Sequence, residues 1–442
     1  MRVFTLMLFC AGVFMFSGSV ALAHEPGPDK PAENSSDGSP GLAQFLTGRD
    51  ALTDNWFGLG ETLEERGITI GLGLTQVYQI NLQGGGVTNR SGQRAGVHRR
   101  RGRYTGQFDL EMEFDLEKLF SLPGAKVFAL AEGGWSEGLG PSSVGSVMDV
   151  NGAAYGDQVI DLSELYYEQS FLEGRVKFRI GKMDITGGYT CRHCDVAFDS
   201  NAFANDETAQ FLNGALVNNP TIPFPDKGLA VSLYVEPVEG FYVAAGVADA
   251  QADARETGFN TAFHDEDYFF GVFETGLAVT VPAPWGSLPG GYRAGVWYDP
   301  RDKERFEKGS TKRDDVGFYL SFDQYLYREN EQDDQGLGAF FRFGWADRDV
   351  SDFQCFWSTG LQYQGLVPGR DDDVLGLGYA NGKFGDSSDY TAQREQAWEL
   401  YYNAQLTPWM NVTPSLQFLK NPGGDSSVSD AVVAGVRVQL AF

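Results

Sequence analysis

Residues 104–116 read YTGQFDLEMEFDL, with Asp109, Glu111, Glu113 and Asp115 at every second position. Paired carboxylates can cleave glycosidic bonds when they flank a substrate across a pocket. These lie two apart on one segment among many other acids, and no pocket is predicted around them. Other reactive spacings are scarce. The chain has four histidines and contains no H-E-x-x-H, G-x-S-x-G or phosphate-loop motif. Cys191 and Cys194 form CRHC, which lacks the second half of a four-ligand metal set. A local disulfide in an oxidising compartment is the reading favoured over a metal site. Cys355 is expected to be buried or lipid-facing. No metal, cofactor or enzymatic activity is expected.

An alternating row of charge is better explained by a strand with one wet face. Alternate side chains of a strand point to opposite sides. Tyr104, Phe108, Leu110, Met112, Phe114 and Leu116 then share an apolar face, and the acids share the other. Sixteen segments from Ile68 to Phe442 show such patterning, each near the roughly ten residues that a tilted membrane strand needs. The links between them alternate in length. Short ones are EKLFSLPG, EG at 173–174, EG at 239–240, TVPAPWGSLPGG, RENEQDDQ, VPGRDDD and PWM. Long polar ones cover about 83–102, 136–158, 186–227, 249–267, 300–314, 384–395 and 421–429, whereas 347–352 is not long. The fold class expected is all-β: a 16-stranded antiparallel transmembrane β-barrel with short periplasmic turns, long extracellular loops and an N-terminal amphipathic helical segment. A soluble secreted β-rich protein also alternates. Unbroken periodicity over the barrel region and the short–long links argue against it.

The N-terminus supplies context. Residues 1–23, MRVFTLMLFCAGVFMFSGSVALA, read as a signal peptide ending at Ala23, with a retained membrane anchor as the alternative. Residues 24–41 are a Pro-, Ser- and Gly-rich disordered leader. In 42–66, Leu52, Trp56, Leu59 and Leu63 step at helical spacing toward a stop at Gly67, and Gly58 and Gly60 make this an interrupted amphipathic helix. Residues 67–442 form the barrel. Mean hydropathy of −0.27 does not argue against a membrane barrel, because lumen residues are polar. The formal net charge is −26, and loss of Arg2 with the signal peptide takes it to −27. Such acidity excludes a nucleic-acid surface.

Several stretches together resemble the OprB-type carbohydrate-selective porin family of the Gram-negative outer membrane. They are DNWFGLGETLEERGITIGLGLTQVYQINLQGG, FDLEMEFDLEKLFSLPGAKVFALAE and LSELYYEQSFLEGRVKFRIGKMD, with looser similarity to the end of the chain. The acidic row, CRHC and Phe57-Gly58-Leu59-Gly60 after Trp56 depart from the family pattern. The resemblance implies passive diffusion of sugars, a homotrimer, and a constriction made by infolded loops. The terminal Phe442, closing an alternating strand, resembles the signal read by the barrel-assembly machinery. Outer-membrane lipid, lipopolysaccharide and small carbohydrates are the expected partners.

The alternation nominates pore-lining residues. Asp109, Glu111 and Glu113 share one inward face, with Asp115 near the periplasmic rim. Glu164, Tyr166 and Glu168 turn inward if Leu165, Tyr167 and Phe171 face lipid. Lys177 and Arg179 on the neighbouring strand stand near those carboxylates, and Arg342 and Arg437 are further inward cations. Such charges either filter solutes or make salt bridges in the wall. Loop 186–227 is the leading constriction element, with CRHC at its base, and loop 136–158 is the second. The basic run 84–103 faces lipopolysaccharide, lines the mouth or is a solvated loop. A general cation-preferring porin is the alternative function.

Overall fold

The computed structural model describes residues 49–442, apart from 89–93, 96–101, 187–188, 191–194, 264–266, 307–309, 331–332 and 388. The signal peptide, the leader, the pair Cys191 and Cys194, and most of the basic run lie outside the described residues. We number the barrel strands in chain order. They are β1 Ile68–Gln83, β2 Gly102–Asp115, β3 Ala125–Ser136, β4 Gly156–Phe171, β5 Val176–Met183, β6 Gly228–Val238, β7 Phe241–Asp249 and β8 Phe269–Ala283. The second half comprises β9 Gly286–Asp299, β10 Asp315–Arg328, β11 Gly336–Trp345, β12 Phe353–Gln364, β13 Val374–Phe384, β14 Arg394–Thr407, β15 Met410–Lys420 and β16 Ala431–Ala441.

All sixteen expected segments are strands of one closed antiparallel barrel, each paired with its chain neighbours. The seam joins β1 to β16 in register from Gly73 opposite Ala441 to Gln83 opposite Val432. Closure leaves no open edge around the barrel wall, which hydrocarbon would not tolerate. Among the described residues no helix is long and apolar enough to cross a membrane. The alternation has the expected sense. On β8, Phe273 is exposed on the outer face while the adjacent Glu274 is fully buried inside. On β6, Val231 and Leu233 face outward and Ser232 and Tyr234 inward.

Three details differ from the sequence reading. In β4 the partner of Leu130 is Glu164 and that of Ala131 is Leu162, so Ser163 is an extra residue. This bulge resets the alternation, letting Ile160, Leu162 and Leu165 all face outward. The twelve-residue link at 280–291 is not a loop. Strands β8 and β9 pair as far as Ala283 opposite Gly286. Pro282 and Pro289 are tolerated because this hairpin outruns its neighbours: β7 pairing stops at Leu277 and β10 pairing at Gly290. A free edge is where strand proline costs least.

The N-terminal helical segment is interrupted, as expected, but its apolar residues do not share one stripe. It forms α1 Asp54–Phe57 and α2 Leu59–Glu65, divided at Gly58 with φ of 80°. Residues 54–57 all have positive φ, so α1 is a left-handed turn. Leu59 is consequently exposed. Leu52 instead packs with Trp409, Ala441 and Phe442, and the Trp56 indole donates to the Ile70 carbonyl at 3.1 Å. The Leu52 amide also donates to Ala441 at 2.7 Å. The segment thus clasps the seam at the short-turn end.

Candidate permeation site

The third long loop, L3, runs from 184 to 227 between β5 and β6 and lies against the inner wall of the opposite strands. Its course follows polar side chains presented by the barrel. The Asp199 amide donates to Glu274 of β8 at 3.0 Å. Asn201 donates to Ser321 of β10 at 3.2 Å. Arg342 of β11 donates through Nε to Asp199 Oδ1 at 3.2 Å and through Nη2 to the Asp199 carbonyl at 2.9 Å. Farther on, Asn403 of β14 donates to the Ala209 carbonyl at 3.0 Å. Arg437 of β16 donates to the Glu207 and Gln210 carbonyls at 2.8 and 3.0 Å. Glu399 of β14 accepts from the amides of Leu212 and Asn213 at 3.0 and 2.8 Å. On the return, Asn219 donates to the Phe343 carbonyl at 3.0 Å.

An apolar inner wall explains why the loop lies there. Phe340, Phe353, Phe356, Tyr401, Leu419 and Val433 point inward, against the simple rule that lumen faces are polar. They pack with Phe211, Leu216 and Val217 of L3 and with Leu139, Met148 and Val150 of loop 137–155. The Phe211 ring meets Tyr401 edge-on at 4.9 Å. Removing this apolar surface from water drives the loops onto the wall. The second loop is fastened alongside: Gln79 and Gln417 both donate to the Val150 carbonyl, at 2.7 and 2.9 Å. The Gly152 amide reaches the Leu212 carbonyl of L3 at 2.8 Å. Both expected constriction loops therefore fold inward and touch each other.

The inner face of β2–β5 carries charge of both signs. Asp109, Glu111 and Glu113 of β2 are partly exposed on it. Asp109 stands opposite Glu132 of β3. Lys227, at the end of L3, is ion-paired with Glu132. Glu164 accepts from the Asp184 amide at 3.0 Å. Toward the short-turn end, Lys126 bridges Glu113 at 2.8 Å and Glu168 at 3.9 Å. Glu168 also pairs with Arg179 at 2.6 Å, and the Arg179 guanidinium lies 4.2 Å from the Tyr189 ring centroid. Tyr166 is buried beside this network. Lys177 is partly exposed on the inner face of the same strand.

Of the ten residues nominated from the sequence, eight fall together on β2, β4 and β5. Arg342 and Arg437 do not join them. Both point inward, as alternation requires, but are 0% and 1% exposed and lie beneath L3. Sequence reading missed Glu132, Lys227, Asp206 and Glu207. Glu132 was recoverable as the cross-strand partner of Asp109. The others depend on a long loop's path, for which no periodicity exists.

The tip of L3 brings Asp206 and Glu207 into electrostatic reach of Asp109, Glu132 and Lys227. Shielding from bulk water, and next the charge of Asp206, push the Glu207 carboxyl up to about 7, with Lys227 opposing. Burial works against the Lys227 ammonium. Glu132 and Asp184 outweigh it and hold the group above the ordinary lysine range. At the long-loop mouth, a cavity of about 550 Å³ is lined by residues including Glu137, Ser146, Asp149 and Asp425.

A closed sixteen-strand barrel with an apolar exterior, infolded loops and a charged inner wall defines an outer-membrane diffusion channel of the porin class. The model of the carbohydrate-selective porin, OprB family, matches residues 99–442, and the chain belongs to that family. It is 24% identical to Porin B of Pseudomonas aeruginosa over 92% of this chain and 96% of that protein. Identity to the putative porin QuiX of Acinetobacter baylyi is 22%, covering 89% and 93% respectively. The high-pH structure of Pseudomonas putida OprB superposes with a TM-score of 0.75 at 21% identity, over 90% of this chain and all of that one. The chain is a porin of the Gram-negative outer membrane.

Proposed function

We propose that small mono- and oligosaccharides diffuse passively through a water-filled path between the β2–β5 wall and the tip of L3. The observation that carries this reading is the unequal covering of the lumen. L3 coats strands β8–β16 and leaves Asp109, Glu111, Glu113, Glu132 and Lys227 partly exposed on the other side. Sugar hydroxyls both donate and accept hydrogen bonds. A wall of carboxylates, ammonium and guanidinium groups with nearby tyrosines offers both kinds of partner in place of bulk water. The proposed lining is Asp109, Glu111, Glu113, Glu164, Lys177 and Arg179, with Glu132 and Lys227 added; the buried Tyr166 and Glu168 back this wall, and Arg342 and Arg437 lie behind the loop. No covalent step is needed, and we assign the chain no catalytic role.

A second reading, a general cation-preferring porin, is favoured by the mature charge of −27 and the acidic wall. Liposome swelling separates them. Swelling in glucose and a disaccharide, with sugar lowering ion current, supports the sugar path. No swelling in glucose contradicts it, and strong cation selectivity without sugar block supports the second reading. Cleavage after Ala23, recognition of Phe442 by the assembly machinery and assembly as a homotrimer in lipopolysaccharide-bearing membrane complete the proposal.

A further inference from the structure

We infer that Arg342 and Arg437 are positioning residues that clamp the tip of L3 across the lumen, and thereby set both the width and the charge of the path. The inference rests on the proposed path between L3 and β2–β5. Arg342 touches both arms of the loop. On the outgoing arm it donates to Asp199, the Ala204 carbonyl and Asn205 Oδ1; on the returning arm it donates to the Leu216 carbonyl at 3.0 Å. Neither arm can shift alone without breaking bonds to this guanidinium. Arg437 holds the carbonyls of Glu207 and Gln210 from the far side. The segment carrying Asp206 and Glu207 is thus pinned before and after, and mostly by its backbone.

The choice of arginine has a physical reason. Its rigid fork offers five donors, and it keeps its charge when buried. Lysine has three donors around one point and cannot serve both arms in the same geometry. Barrel closure does not require either group, because the strand ladders are complete without them. Arg342 instead spends all three of its nitrogens on the loop, and Arg437 its Nη1.

The test uses the full-length protein in planar bilayers and liposomes, comparing R342Q, R342K and R437Q with the unaltered chain. Heat-modifiable gel migration reports an assembled barrel. R342Q and R437Q are expected to raise single-channel conductance about two-fold or more. They should also speed liposome swelling in a trisaccharide relative to glucose, and reduce cation preference as Asp206 and Glu207 withdraw. R342K should fall between. If R342Q does not assemble, N403A, which removes only the bond to the Ala209 carbonyl, should move the same readouts in the same direction by less. D109N keeps the two readings apart. An unchanged reversal potential in D109N overturns the path itself. A shifted potential in D109N, with assembled R342Q and R437Q unchanged in conductance, sieving and selectivity, overturns the clamp alone.

Discussion

Lys227 leaves L3 to begin β6, and its ammonium closes on Glu132 of β3, the residue opposite Asp109. One cation is thereby held among Asp109, Glu132, Asp184 and the acids of the loop tip. Replacing Lys227 with Gln removes a positive charge where negative charge dominates. Cation preference, read as the reversal potential in a salt gradient, should rise in K227Q and remain near the original in K227R. An unchanged potential in K227Q would place these groups outside the ion path.

The Glu207 carboxyl predicts a pH effect. Its folded value, about 7, lies above the ordinary 4.5. It is neutral below that value and charged above it, so cation preference should fall as pH drops from 8 to 6. The linkage has the opposite sense for docking. Because the docked loop favours the protonated form, its stability is greatest at low pH and declines as pH rises from about 4.5 to about 7. E207Q should lessen the pH dependence of the reversal potential. Persistence of the full dependence in E207Q would assign it to another group.

Glu399 is the buried acceptor for two consecutive loop amides, those of Leu212 and Asn213. In E399A each stranded donor costs about 1–3 kcal/mol. Loosening should be local, since β14 keeps its ladder to both neighbours. Limited proteolysis should cut within residues 205–216 faster in E399A, while E399Q, which keeps one of the two oxygen acceptors and turns an NH2 toward the other amide, should fall between.

Near the bilayer midplane the outer face disfavours charge. Leu233 points outward on β6 between Ser232 and Tyr234, which point inward. An arginine there costs about 2–4 kcal/mol near the bilayer midplane. L233R should therefore show reduced heat-modifiable folding into bilayers, and V231T, a small uncharged change on the same face, should fold much better.

Strands were legible because every one repeats the same two-residue rule, and one slip would turn all its apolar side chains into the lumen. The exceptions have physical causes. Ser163 adds a residue to β4, a local insertion that alternation alone does not mark. Pro282 and Pro289 read as breakers because the sequence does not reveal that their hairpin has free edges. At the site, alternation correctly put Arg342 and Arg437 inside the barrel. It could not show that Phe340, Tyr401 and Val433 make that part of the wall apolar enough to draw the loops over them. The partner of Asp109 across β3 could be deduced from pairing. Glu207 could not, because it arrives through a loop whose path is written in side-chain bonds to β11, β14 and β16.

Glucose influx through an Asp109→Cys variant, in a background with the native cysteines replaced, tests the central claim most directly. Influx into liposomes is measured before and after reaction with a bulky thiol reagent, with Leu110→Cys on the outward face of the same strand as reference. The account predicts influx through both unreacted variants and its loss only for Asp109→Cys after reaction. Equal influx through reacted and unreacted Asp109→Cys, with labelling of the thiol verified, would contradict it.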